Sequence, residues 1–381
     1  MRSLALALAA LALAGCSTLS GLPVVGGWMT DASRKPAPLP EIRASVTPQV
    51  AWSASIGRAR GATFYPGVDG GRVAAAAEDG TITLLEADTG RVLGRHDAKT
   101  RLSAGVGAGA GIVVVATPKG DVLAFDPAGK PLWKANVGGE VLAPAVVTTA
   151  SALVRTGDGR IFAFAVADGK RRWVYQRAAP PLLLRAPTGV AATPTNVVAG
   201  YPGGKLLALD LDDGKLTWEV TVSVPRGATE LERVADVAGV PVIDAGRICA
   251  AAFQGRVACF EIAGGNTVWT RELSSASGLA IDGTSAYLTD DKDQVHALDK
   301  ASGASRWKQD KLLRRGLTAP VAFEGKVVVG DALGFLHVLS PDTGELVGRL
   351  ALDGTAVSAL VPVRGGLLAQ TAGGQLSLVR F

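Results

Sequence analysis

The residues with the widest chemical repertoire in this 381-residue chain are three cysteines and three histidines, and their spacing narrows what they can do. Cys249 and Cys259 flank the Gln254-Gly255 turn symmetrically, which sets them opposite each other on neighbouring strands. Two readings stay open: a cross-strand disulfide in an oxidising compartment, or a pair of small buried side chains. His296 and His337 occupy the same slot of two successive sequence repeats, and His96 lies far from both. A zinc site needs three or four ligands, and no neighbouring cluster supplies them, so the histidines read as structural and no metal is expected. Gly105-Val-Gly-Ala-Gly-Ala-Gly111 has the glycines of a phosphate loop but no following helix, and reads as a turn. Acidic residues recur at Glu86, Asp126, Asp210, Glu261 and Asp299. A catalytic acid is normally unique; a carboxylate repeated in blade after blade suits a turn, where it accepts backbone N–H groups. No catalytic residue is expected.

The elements that carry these residues are written eight times. The pattern is a Gly, a strand, an acidic residue, a second Gly and a Trp, as in Gly204-Lys-Leu-Leu-Ala-Leu-Asp210 followed by Gly214-Lys-Leu-Thr-Trp218. The opening position falls at Gly80, Gly120, Gly159, Gly204, Gly255, Asp293, Gly334 and Gly374, with steps of 40, 39, 45, 51, 38, 41 and 40 residues. A period near 40 with several short strands per unit predicts the blades of a propeller. Two and four places after the opening residue the chain is apolar in every copy, for example Leu206 and Ala208, and so is the fifth place, Leu209. Alternate residues share a face of a strand. This strand is therefore apolar on both faces and must be covered on both sides by neighbouring sheets.

Trp133, Trp173, Trp218, Trp269 and Trp307 each follow the second Gly by four residues. Burying one removes ~150–250 Å² from water, worth several kcal/mol at ~25 cal/mol per Å². These rings are expected to dock one blade on the next. Gly94 and Gly348 stand in the Trp slot of two repeats, where weaker blade contacts are expected. The eighth repeat stops at Phe381, and a matching fragment around Trp52 sits near the other end. The reading is an all-β, eight-bladed propeller of four-stranded antiparallel blades. Its N-terminal strand joins the C-terminal blade, which removes exposed sheet edges. Blades are expected near 60–98, 101–138, 141–178, 185–222, 233–273, 276–310, 317–352, and 355–381 with 47–57.

Met1-Arg2 and the apolar run Leu4 to Leu13 have the form of a secretory signal, and the run is too short to span a bilayer. It ends in Leu13-Ala14-Gly15-Cys16, which looks like a lipoprotein cleavage box. Residues 1–15 are expected as signal peptide, Cys16 as the lipidated first residue, 16–46 as a flexible tether and 47–381 as the propeller. A tether of that length reaches about 30 Å on average. Trp28 reads as a solvated tether residue or one resting at the membrane interface. Ser17 after the cysteine is, by a rule of thumb for lipoproteins, an outer-membrane address. Basic and acidic residues number 39 and 34, giving a formal charge of +5, scattered and of both signs. No nucleic-acid patch follows from that.

Two steps exceed 40 residues. The surplus lies at 176–187 and 221–236, both connections between successive blades, and so on one rim of the ring. Loops on a rigid scaffold are where recognition concentrates. Leu182, Leu183 and Leu184 stand beside Arg185. They read either as an exposed protein-binding patch or as the start of the next blade.

The repeat resembles that of the pyrroloquinoline-quinone-type propellers. Lipoprotein box, tether, eight repeats, Pro181-Leu-Leu-Leu-Arg185 and Thr229-Glu-Leu-Glu-Arg-Val-Ala-Asp-Val237 together resemble the BamB family of outer-membrane assembly lipoproteins over essentially the whole chain. The resemblance implies a non-enzymatic scaffold, without cofactor, on the periplasmic face of the outer membrane. It implies docking on the POTRA domains of BamA through Leu182, Leu184, Arg185 and Asp236, with assistance to the insertion of outer-membrane proteins. The family often has a second acidic residue two places after Asp236, where this chain has Ala238. The alternatives are a different envelope partner or a quinoprotein dehydrogenase. The latter resemble one another in an adjacent Cys pair, calcium-binding carboxylates and capping insertions, and this chain has no Cys-Cys pair.

Overall fold

The computed structural model describes residues 35–59, 64–178, 186–229 and 231–381. Among these, 32 strands form eight four-stranded antiparallel sheets. Seven sheets are built from four consecutive strands, inner to outer. They are the blades Gly67–Asp97, Gly107–Asn136, Val146–Tyr175, Val190–Thr221, Val237–Glu272, Leu279–Gln309 and Val321–Ala351, numbered 1 to 7. Blade 8 takes three strands from Val357–Arg380 and its outer strand, Gln49–Ser55, from the other end of the chain. In that closing pair Trp52 lies opposite Leu378 and Ser55 opposite Gln375. The ring is the closed eight-bladed propeller that the repeat predicts.

Blade 4 shows why the third strand is apolar on both faces. In Lys205–Asp210 the four residues Leu206 to Leu209 are all 0% exposed. Leu206 and Ala208 pack with Ile248, Ala250 and Phe260 of blade 5. Leu207 and Leu209 pack with Leu153, Ile161 and Trp173 of blade 3. Each blade is a two-sided wedge in a continuous core.

The opening residue of the repeat closes the turn into this strand with positive φ, +106° at Gly80 and +84° at Gly334. That region suits glycine because it has no Cβ. Asp293 takes the same turn at +64°, and its carboxylate accepts the N–H groups of Gly316 and Leu317, both at 2.8 Å. The repeated carboxylates sit in the other turn: Asp126 Oδ1 accepts from the Ala128 and Lys130 N–H groups, Asp299 Oδ1 from those of Ala301 and Ser302.

Six tryptophans stitch blade to blade by one geometry. Each indole Nε1 donates across the seam to a carbonyl of the next blade: Trp52 to Ala87, Trp133 to Val166, Trp173 to Leu211, Trp218 to Ile262, Trp269 to Lys300 and Trp307 to Pro341. All six bonds measure 2.7–2.9 Å. Each ring lies on the second Gly of the neighbouring repeat; at Gly169 an added Cβ would stand 2.6 Å from the Trp133 ring. The second Gly is therefore a docking surface for the preceding blade's indole.

The two seams without Trp are filled by other residues. Between blades 1 and 2 the His96 imidazole lies over Gly129, where a Cβ would fall within 2.0 Å of three ring atoms. Between blades 7 and 8 the segment before the closing strand does the filling: the Val46 carbonyl would be 2.7 Å from a Cβ at Gly348, with Pro48 beside it.

Residues 35–46, read from sequence as the end of a free tether, lie on blade 7. Ser45 and Val46 donate to the Val347 carbonyl, and Ile42 joins the core between blades 6 and 7. Pro36, Pro38 and Pro40 leave few N–H donors but keep their carbonyls. Arginines supply the missing donors: Arg314 Nε to Lys35 O at 3.0 Å, Arg315 Nη1 to Ala37 O at 2.8 Å and Arg349 Nη2 to Pro40 O at 2.8 Å. Arg315 also reaches Asp331, with Nε and Nη2 each 2.7 Å from Oδ2, and His337 Nε2 lies 2.9 Å from the same oxygen. Burial alone would push Asp331 up, but the bonds from His337, Phe335 N–H and Arg315 outweigh it and hold the carboxyl below its ordinary value.

Cys249 and Cys259 are directly opposite in the second and third strands of blade 5 and are joined as a disulfide, with Cα atoms 4.1 Å apart. Of the two readings the structure takes the disulfide, and both residues are buried.

Candidate docking rim

Within a blade the chain runs up and down, so every inter-blade connection and every turn between second and third strands emerges on one face. The two widened connections lie side by side there, around blades 3, 4 and 5. Leu182, Leu184 and Arg185 fall outside the described residues, as does Cys16. Their flanks are described: the first connection leaves blade 3 at Arg177 and re-enters at Ala186, Thr188 and Gly189.

Ala186 and Thr188 line a crevice with Arg155, Asp158, Pro202 and Asp236, which brings the two long connections to one place. Arg155 organises it. This residue ends the second strand of blade 3, where the other blades end in Ala76, Ala116, Tyr201, Ala252, Thr289, Gly330 and Thr371. The residue is 6% exposed, and its guanidinium donates to the carbonyls of Gly189 and Gly200 and packs 4.8 Å from the Tyr201 ring centre. Burial pushes its pKa down from the usual arginine value. Arg177, at the start of the first connection, lies 5.6 Å from the same ring and pairs with Glu219 at 3.2 Å. Burial raises the Tyr201 hydroxyl to about 12, so the ring stays neutral between two cations.

Asp236 is 6% exposed. Its Oδ1 accepts the Gly203 N–H at 3.2 Å and its carbonyl accepts the Phe253 N–H at 2.9 Å. The carboxylate therefore ties the second connection to blade 4 from within. Ala238, in the place of the second acidic residue, is 3% exposed.

The outer part of the second connection is held by its own bonds. Glu232 Oε2 accepts the N–H groups of Ala228 at 2.7 Å and Thr229 at 3.1 Å, and Thr229 Oγ1 accepts the Glu232 N–H at 3.3 Å. This reciprocal pairing is a capping box without a long helix behind it. The bonds from Thr229 and Ala228 lower the Glu232 pKa. Arg233 Nε donates to Gly227 O at 3.1 Å. The Gln254 side-chain amide lies 3.0–3.2 Å from the carbonyl oxygens of Leu231, Glu232 and Val234, an all-acceptor setting that calls for its nitrogen on that side. Sequence reasoning passed over Arg155, Tyr201 and Gln254. A charged residue in a column that carries no charge in the other seven blades is the available signal for Arg155.

Elsewhere the histidines pair with the acid six residues before them: His296 with Asp290 and His337 with Asp331, both at 2.9 Å. Among the described residues no group of three or more His, Cys, Asp or Glu is placed to hold a metal ion.

A closed ring of PQQ-type blades, uniform except for two widened connections on one face, defines the class of propeller. A family model described as "Outer membrane protein assembly factor BamB" matches residues 78–309. The chain belongs to this family. It is 41% identical over 372 residues to the outer membrane protein assembly factor BamB of Bordetella pertussis, covering 97% of this chain and 94% of that one. It is 39% identical over 365 residues to that of Burkholderia pseudomallei, covering 96% and 93%. Among solved structures, BamB from Moraxella catarrhalis superposes with a TM-score of 0.81 at 25% identity, over 88% of this chain and all of that one. A quinohemoprotein alcohol dehydrogenase from Comamonas testosteroni shares the fold, at 13% identity and a TM-score of 0.68 over 87% of this chain and 76% of that one.

Proposed function

We propose that this chain is a non-enzymatic scaffold lipoprotein of the outer-membrane β-barrel assembly complex. It is anchored through Cys16 on the periplasmic face of the outer membrane and docks on the POTRA domains of BamA. The observation that carries the reading is family membership along nearly the whole chain, joined to the place of the family's docking segment. Support comes from the described flank of that segment, where Ala186 and Thr188 line a crevice built around a buried arginine. Leu182 and Leu184 bury in a groove of the partner, and Arg185 gives the contact its direction by polar pairing. The ring's part is to hold these loops still, so that little ordering entropy is lost on binding. In this way the partner's domains are oriented for insertion of outer-membrane proteins.

The test is Arg185→Glu in the full chain. It should abolish co-purification with BamA from envelope extracts and leave the melting temperature within about 1 °C, as a surface change should. Retained co-purification refutes the docking site. Intact-mass measurement of the membrane-extracted protein checks the anchor: a mature chain beginning at an unacylated residue other than Cys16 rules it out.

A further inference from the structure

We propose that the gap which Gly94 leaves between blades 1 and 2 is a binding pocket for an indole ring, brought as the tryptophan of another, extended polypeptide. The pocket lies on the face away from the docking rim, among the turns that join first to second and third to fourth strands.

The ring contains its own template for the occupant. At the seam between blades 3 and 4, Leu153, Ala163 and Val197 close around Trp173, whose Nε1 donates to Leu211 O at 2.9 Å. Strand register puts Ala74, Leu84 and Val113 at the same places between blades 1 and 2. Leu84 lies opposite Gly94 as Ala163 lies opposite Trp173, so here the outer strand sends in no indole. His96 rests on Gly129, and a cavity of about 180 Å³ remains beside it, lined by Ala74, Leu84, Ile112, Val113 and Pro127. Exposure marks the same gap. Ala74, Leu84 and Val113 are 3%, 4% and 5% exposed, each the most exposed of its eight counterparts. The acceptor is in place as well. Pro127 follows Asp126 as Leu211 follows Asp210, and Pro341, in the corresponding turn of blade 7, accepts the Trp307 indole at 2.7 Å. Among the described residues no donor meets the Pro127 carbonyl. An apolar cavity of ~150 Å³ is enough to take up benzene, and indole is one fused ring larger. Burial of the ring supplies affinity, and the N–H to the carbonyl supplies direction. The mouth suits a ring carried on a backbone. Gly70, Gly71 and Gly111 are exposed there, and an added Cβ at any of them would meet nothing within 4 Å. Such turns let a foreign chain come close. Asp69 and Arg72 stand beside them, one able to accept from its N–H groups and the other to donate to its carbonyls.

The experiment titrates N-acetyl-tryptophanamide, then a short extended peptide with one central tryptophan, into the full mature chain. Protein amide NMR shifts report binding, and melting temperature is the fold control. The amide should bind with a Kd on the order of 1 mM, and the peptide at least as tightly. N-acetyl-leucinamide should bind about tenfold more weakly or worse. The N1-methylated indole, which cannot donate to Pro127 O, should lose about threefold to tenfold. Gly94→Trp fills the slot from the strand; it should cost at least tenfold in affinity and raise the melting temperature. Ala74→Leu installs the leucine that blade 3 carries as Leu153 and should cost about tenfold, which keeps the test open if the first variant folds poorly. No binding by the unmodified chain, or affinity unchanged in folded Gly94→Trp or Ala74→Leu, overturns the pocket. Binding of the amide without the peptide overturns a polypeptide occupant. A Trp28→Ala chain that binds about tenfold more tightly than the unmodified one overturns a foreign occupant, because the chain's own seventh tryptophan then competes for the slot.

Discussion

Six seams of the ring are closed by a tryptophan and two are not, yet none is bare. At the six, an indole lies on a glycine and donates to a carbonyl of the next blade. Between blades 1 and 2 an imidazole two residues further along the strand, His96, lies on the equivalent glycine. Between blades 7 and 8 the chain itself, Val46 to Pro48, takes the space. A residue missing from a repeat is thus not a missing contact. Interiors are packed to near-crystal density, so a void between blades is filled from wherever the chain can reach. The Trp seams are local and repeated; the substitutes are particular and, at blade 7, joined to residues almost three hundred positions away in sequence.

The largest break in this comparison comes from Trp173→Ala. The ring is 7% exposed, lies on Gly214 and donates to Leu211 O. Its loss leaves a cavity between blades 3 and 4 and an unpaired carbonyl, at a cost of about 3–5 kcal/mol. Urea unfolding measures it. A loss under about 1 kcal/mol would show that the indoles are not what joins the blades. Affinity for the partner should change little if the crevice built by Arg155 survives.

The next effect is where residues 35–46 lie on blade 7. Arg315→Met removes the donor to Ala37 O and leaves the Asp331 carboxylate, 0% exposed, with only His337 and backbone N–H partners. Breaking a buried pair costs about 3–5 kcal/mol, and the remaining partners put this case near 3. The pH dependence sharpens it. Burial and the Arg315 and Arg349 charges lower the His337 pKa below its ordinary 6.5, against the pull of Asp331. The native ring therefore prefers to be neutral, and its contribution is complete above pH 6.5 and lost as pH falls through and below that value. Without Arg315 that histidine's pKa rises, and its proton partly replaces the lost charge. The stability deficit of Arg315→Met should therefore be larger at pH 8 than at pH 5.5. A deficit independent of pH would show that His337 does not share the carboxylate.

The contrast also marks what was legible in the residues. Blade count and the two-faced third strand follow from periodicity, because the pattern is sampled eight times; the closure by the segment around Trp52 follows because the eighth copy stops at Phe381 and that segment matches the missing strand. The direction of each Trp was not legible, since nothing in one repeat says which carbonyl the indole meets. Residues 35–46 read as an open chain because their proline content signals one, yet they lie on blade 7. Their attachment depends on Arg314 and Arg315 from the connection between blades 6 and 7 and on Arg349 from blade 7. At the rim, length alone located the two widened connections. It did not reveal that Asp236 points inward or that the Gln254 amide, from the next turn, lies against the carbonyls of Leu231, Glu232 and Val234. Such features use one copy of one residue, and a repeat has no statistics for them.

The smallest effect tests the least obvious substitute. His96 is half-buried and its ring is smaller than an indole, so His96→Ala should cost about 1 kcal/mol from area alone, well under a Trp seam. Gly129→Ala should cost more, because its φ is +80° and its Cβ would overlap the imidazole. The two costs are not independent. Removing the ring relieves the overlap but not the backbone strain, so the double variant should be more stable than the sum of the singles by about 0.5–1 kcal/mol or more. Denaturant unfolding of the four proteins in the cycle measures that coupling. Strict additivity would mean that His96 does not rest on the turn of blade 2. The seam between blades 1 and 2 would then be the open one that its missing tryptophan suggests.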